Sequence, residues 1–251
     1  MSAARTFRTL CRRELKESFR GGYGWSVAAG CAGAVGALFL LLLWKAEGTV
    51  QTIPTLFAMA LTASLPFLAS VATMRPFAGA RASGELEVLL TDPVPETAVV
   101  LAKFCGAFLV VVAAFAATVG SLAVYAELVD RVGSLRASSW EVDYSRTGTA
   151  CAVATLLAHA AAFSAVGTLV SLLSRRPSQA AVGTFAVTLP AVPFLMGALA
   201  DADLSEWLSS MDVRPAARGI MDTRPFVLAA TVAFLALFSA IRVLEVRRWK
   251  L

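Results

Sequence analysis

Apolar runs of membrane length alternate with short charged clusters along the 251 residues. Six such runs stand out, at 23–44, 50–74, 98–126, 148–173, 179–200 and 226–241. A helix of about 20 residues crosses a hydrocarbon layer of about 30 Å and satisfies its own backbone hydrogen bonds there. The pattern therefore predicts an all-α, polytopic membrane protein with six transmembrane helices, and one membrane domain accounts for the whole length.

The segments before and inside these runs add detail. Residues 5–20, RTFRTLCRRELKESFR, set Phe7, Leu10, Cys11, Leu15, Ser18 and Phe19 along one helical face. Arg5, Arg8, Arg12, Arg13, Lys16 and Arg20 fall largely on the other. This predicts an N-terminal amphipathic helix, within an elbow of residues 1–22, lying on the cytoplasmic leaflet. The plainer reading is a basic juxtamembrane segment. In the first run Ala29, Gly33 and Ala37 form a small-residue ridge that permits close helix approach, either by another span or by a second protomer. Pro66, near the middle of the second run, implies a kink, static or hinged. The lone histidine, His159, has no Asp, Glu, Lys or Arg in the central part of any run to pass a proton to. It reads as a hydrogen-bonded packing residue.

From the gap after the second run into the start of the third lies RASGELEVLLTDPVPETAVVLAKF, residues 81–104. Ser83 is placed to cap a helix, with Glu85 and Glu87 in its first turn. Leu86, Leu89 and Leu90 form one stripe, and Pro93 ends the helix. A helix this short, 83–91, needs a surface to pack on, either the bilayer or a partner's groove. After the fifth run, residues 201–225 predict a second short element. Asp203 and Glu206 suit a capping box, and Leu204, Trp207, Leu208 and Met211 share a face. Arg218 and Asp222, four residues apart, are expected to pair across a helical turn.

Charge then supplies orientation. Hydrophobic residues make up 58% and charged ones only 16%, against about a quarter in soluble domains. With the N-terminus inside, the inner segments carry 15 of the 22 Lys and Arg and seven of the 17 acids. The resulting +8 inside and −3 outside follow the positive-inside pattern, so both termini are expected in the cytoplasm. The basic balance thus points to membrane lipid and not to nucleic acid. Cys11, Cys31, Cys105 and Cys151 show no metal or disulfide spacing. No phosphate-binding loop, metalloprotease or nucleophile-elbow motif occurs, so no catalytic residue, metal or cofactor is expected on this chain.

Three stretches carry a family resemblance. SGELEVLLTDPV is similar to the S-G-T-L-E-L-L-L-x-x-P-V element that follows span 2 in the permeases of type-2 ABC exporters. ARGIMDTRPF resembles their R-G-x-x-D-x-R-D motif, and RVLEVRRWKL their R-x-L-E-x-R-R-W ending. The chain resembles in particular the small six-span permeases of gliding-motility and copper-maturation systems. The sequence departs from the pattern at FAGARAS, where an acidic-basic run is usual, and at Pro225, where an acid is usual. The resemblance implies a permease dimer in the bacterial cytoplasmic membrane, working with separate ABC ATPase subunits that hold ATP and Mg. It implies that 83–91 is a cytoplasmic coupling helix whose Glu85, Leu86, Glu87, Leu89 and Leu90 meet the ATPase, joined by part of the basic N-terminal helix. It also implies an outer re-entrant hairpin over 201–225 carrying Arg218, Gly219, Asp222 and Arg224. A membrane scaffold in a motility or envelope complex is the alternative.

Overall fold

The computed structural model describes residues 3–45, 53–87, 94–133, 146–192 and 212–248, and these are helical apart from short connections. Helix α1 (Ala3–Arg20) turns at Gly22, whose φ of 74° suits glycine, into α2 (Tyr23–Lys45). Next come α3 (Ile53–Thr73), the short α4 (Ala78–Ala82) and a helical turn opening at Glu85. Helices α5 (Glu96–Gly133) and α6 (Arg146–Leu173) follow. Helix α7 (Pro177–Thr188) tightens into a 3₁₀ turn at Leu189–Ala191. The four-residue α8 (Arg214–Ala217) and α9 (Arg224–Arg248) complete the described chain.

Among the described residues, five helices are long and apolar enough to cross a membrane: α2, α3, α5, α6 and α9. The sixth expected span, 179–200, corresponds to α7, which has 12 α-helical residues before Pro190, lacking an N–H, sits in the 3₁₀ turn. Residues 193–200 of that run lie outside the described residues. Helix α5 outruns its expected bounds. Its 38 residues, at about 1.5 Å each, extend about 57 Å, well beyond a hydrocarbon layer. Helix α9 is also longer than expected, since an Arg242–Glu245 pair at 2.8 Å sits in its final turns, past the predicted end at 241.

Helix α3 is the axis of the bundle, packed by α2, α5, α6 and α7. Its Leu61, Leu65, Leu68 and Ala69 are fully enclosed, together with Val35 of α2, Val111 of α5 and Leu156 of α6. Helix α9 leans on α6 through alanines 229, 236 and 240, whose small side chains permit close approach. The hydroxyls inside the spans mostly bond within their own helices: Thr62 to Ala58 O, Thr73 to Ala69 O, Thr118 to Ala114 O and Thr168 to Ser164 O, each at 2.7 Å. The His159 Nδ1 likewise donates to Thr155 O at 2.8 Å within α6.

Helix α2 turns Ala28, Cys31, Val35 and Phe39 inward. Ala29, Gly33 and Ala37 are exposed on the opposite side, and no atom of the described residues would touch a methyl group added at Gly33. Of the two partners open to this ridge, a described span of the same chain is thereby excluded.

At Gly167 of α6 the packing leaves no room. A Cβ there would lie 2.2 Å from Thr73 Oγ1 and 2.9 Å from Thr184 Cγ2, so three helices meet through a missing side chain. Gly167→Ala is expected to cost about 1–3 kcal/mol, read as a lowered thermal midpoint in mild detergent. Adding Thr73→Ala should recover part of the loss. An unaltered midpoint in the single variant would refute this close approach.

Candidate functional site

The side chains that break their own segment's pattern converge at one end of the bundle. Glu14 is an acid on the apolar face of α1, and Lys103 a base inside the apolar run of α5. They meet at 2.9 Å, with the lysine side chain 6% and the glutamate 22% exposed. The Lys103 ammonium also lies 5.7 Å from the centroid of the Phe77 ring. Charge counting alone places Lys103 among the loop cations, whereas the structure sets it two turns into α5.

This contact forms because α1 leans on α5 and α2. Leu10 joins a cluster with Phe77, Val99, Val100, Leu172 and Leu244, while Phe19 reaches the main core. Protein thus covers part of the apolar face that α1 is expected to lay on the leaflet, with Leu10 and Phe19 half-buried. Arg8, Arg12, Arg13, Lys16 and Arg20 remain exposed on the other side.

The connection after α3 is fastened at several points. The Tyr23 hydroxyl donates to Val71 O, and the Arg75 guanidinium lies 3.9 Å from the centroid of the Tyr23 ring. The Ser171 Oγ of α6 accepts the Ala78 N–H at 3.1 Å. The Arg81 guanidinium donates to Leu172 O at 2.7 Å and to Ser174 O, satisfying carbonyls that the end of α6 leaves open. Arg81 falls within the stretch FAGARAS that departs from the family pattern, and its task is internal.

Ser83 does not cap the following helix, as its sequence position suggests. It closes α4, its Oγ donating to Ala80 O at 3.2 Å, and Gly84 at φ 76° redirects the chain into the Glu85 turn. There Glu85 pairs with Arg13 of α1, and Glu87 is exposed. Leu86 is 4% exposed and packs beside Phe77 and Val99, which removes it from the outward stripe expected of it. Leu89 and Leu90 lie outside the described residues. Glu14, Glu17, Tyr23, Arg75, Glu85 and Lys103 line a cavity of about 580 Å³ between α1 and this connection.

At the opposite end, α8 caps the bundle. Val213, Ala216 and Ala217 are buried, with α8 against α6 and α3. A Cβ at Gly148 would lie 2.2 Å from Ala217 O. The Arg218–Asp222 pairing across a helical turn is corrected, because α8 stops at Ala217 and Gly219 takes φ 86°. Asp222 Oδ1 instead accepts the Arg224 N–H at 3.0 Å as α9 begins, and Pro225 sits in the first turn, where its lack of an N–H costs nothing. Arg218 and Arg224 are exposed. The Leu204–Met211 segment lies outside the described residues. Among the described residues no group of three or more His, Cys, Asp or Glu could hold a metal.

Over residues 25–216, from α2 through part of α8, the sequence matches the family described as ABC-2 family transporter protein. Curated proteins include none that matches this sequence.

Two outcomes follow from the site. Glu14→Gln or Lys103→Gln leaves one charge unpaired and is expected to cost about 3–5 kcal/mol, read as a fall in thermal midpoint. The swap Glu14→Lys with Lys103→Glu should recover most of it; purely additive losses would refute the pair. Separately, the Cys11 thiol is pushed up to about 11 by burial, reinforced by the neighbouring Cys105 and Glu14. A raised value starves the thiolate, so near pH 8 its population is about a hundredfold below that of an ordinary cysteine. Maleimide labelling of Cys11, followed by peptide mass mapping, should accelerate about tenfold per pH unit until about pH 11. A rate that levels off near pH 9 would contradict this.

Proposed function

The chain belongs to the ABC-2 transporter family and is a permease subunit of an ABC transporter; from that premise we propose that it works as an exporter driven by a separate ATPase. ATP and Mg bind the partner ATPase subunit, and two permeases with two ATPases make the working assembly. This chain does no covalent chemistry. It lies in the bacterial cytoplasmic membrane with both termini inside.

The observation that carries the reading is the anchoring of the Glu85 turn within the family-matched region. Leu86 fixes the turn to the bundle, Glu85 ties it to α1, and α4 just before it is fastened to α6 through Arg81 and Ser171. A push on Glu87 and the following Leu89 and Leu90 would therefore reach α1, α5 and α6 together. Closure of the ATPases tilts these helices between inward and outward arrangements, and nucleotide biases that equilibrium. The exposed Ala29–Gly33–Ala37 ridge of α2 is the face offered to the second permease.

The test is purification of the tagged full chain in mild detergent, with mass spectrometry of what stays bound and an ATPase assay. A subunit with a phosphate-binding loop should co-purify, and Leu89→Arg should release it and lower the bound ATPase activity at least about tenfold, since it sets an unpaired charge in an apolar contact. Membrane insertion of the variant should be unchanged. Recovery of the wild-type chain alone, or with envelope proteins and no ATPase activity, would overturn the assignment.

A further inference from the structure

We propose that the cavity between α1 and the connection after α3 binds a zwitterionic headgroup of the phosphoethanolamine type, carried by a membrane lipid. This is independent of the ATPase reading. The volume of about 580 Å³ lies in the range of small-molecule sites. Five charged side chains reach its wall: Glu14, Glu17, Glu85, Arg75 and Lys103. Lys103 neutralises Glu14, and Arg13 neutralises Glu85. One charge of each sign is left over.

Those two are Glu17 and Arg75. Among the described residues, the Glu17 carboxylate has no ion pair or hydrogen bond, and both residues are exposed. The Arg75 guanidinium stacks on the Tyr23 ring but makes no hydrogen bond or ion pair among the described residues, so its N–H groups are open to an anion. The two do not pair with each other although they share the cavity. A ligand that satisfies both must carry an anion and a cation within one cavity. Guanidinium matches phosphate as a planar fork, and a primary ammonium can donate hydrogen bonds to a carboxylate.

Placement selects the lipid source. The cavity lies where α2 begins and α3 ends, at the limit of the membrane-spanning segments. Trp25, 66% exposed beside it in sequence, marks the interface where headgroups sit. Alanines 72, 80 and 107 supply an apolar part of the wall suited to the glycerol end of a lipid.

Native mass spectrometry of the full chain, titrated with phosphatidylethanolamine, phosphatidylcholine or phosphatidylglycerol in mixed micelles, tests this. Phosphatidylethanolamine should bind about tenfold tighter than the other two, because choline cannot donate a hydrogen bond and glycerol carries no cation. Glu17→Gln should abolish that preference while Glu17→Asp keeps part of it, and Arg75→Gln should weaken all three. Displacement of bound lipid by free phosphoethanolamine would assign recognition to the headgroup alone, whereas its failure to compete would assign it to the intact lipid. Equal affinity for the three lipids, or an unchanged preference in Glu17→Gln, would overturn the proposal. Both altered side chains are exposed, and a monodisperse elution profile checks that the variants fold.

Discussion

A lysine ammonium held 6% exposed inside an apolar helix cannot stay charged without a partner, and Glu14 is that partner for Lys103. Removing both charges from water costs several kcal/mol per ion, and the pair repays this only through close geometry. The requirement sets where α1 lies. Meeting Lys103 draws α1 against α5, half-buries Leu10 and Phe19, and leaves the exposed cations of α1 on the far side. The cavity behind α1 and the Arg13–Glu85 contact follow from the same placement. The latter is more exposed and contributes less than about 1 kcal/mol by itself, so it steers while the buried pair holds.

Deeper in the bundle a different physics takes over. Lipid tails are as apolar as leucine, so close contact and satisfied backbone groups hold the helices together. Gly167 lets α6 meet Thr73 of α3 and Thr184 of α7, and Gly148 lets it meet the carbonyl of Ala217. Helix α6 is therefore closely approached at both ends, by α8 near Gly148 and by the α4 connection through Ser171 and Arg81. It joins contacts at both ends of the bundle within one continuous helix.

Much of this architecture was legible along the chain. Periodicity and run length determined the helices, the amphipathic α1 and the membrane setting, because a bilayer admits few backbone solutions and demands about 20 apolar residues for each. The proline and glycine positions were legible as breaks. What each break does was not: Ser83 ends a helix instead of starting one, because Gly84 just after it takes the left-handed conformation. Helix ends depend on capping partners that can lie far away in sequence, as Ser171 does for Ala78.

The sequence by itself holds two charges out of place in their own segments, Glu14 on an apolar face and Lys103 in an apolar run, and sets Arg81 between two runs. Only the tertiary structure decided what they answer to. Glu14 and Lys103 are 89 residues apart and Arg81 and Leu172 are 91, and a local pattern carries no information about pairing at that range. The same holds for Leu86. Its helical spacing marked an apolar stripe, but whether that stripe faces the protein's own core or a partner depends on which helices stand beside it, and this is set by packing and not by period.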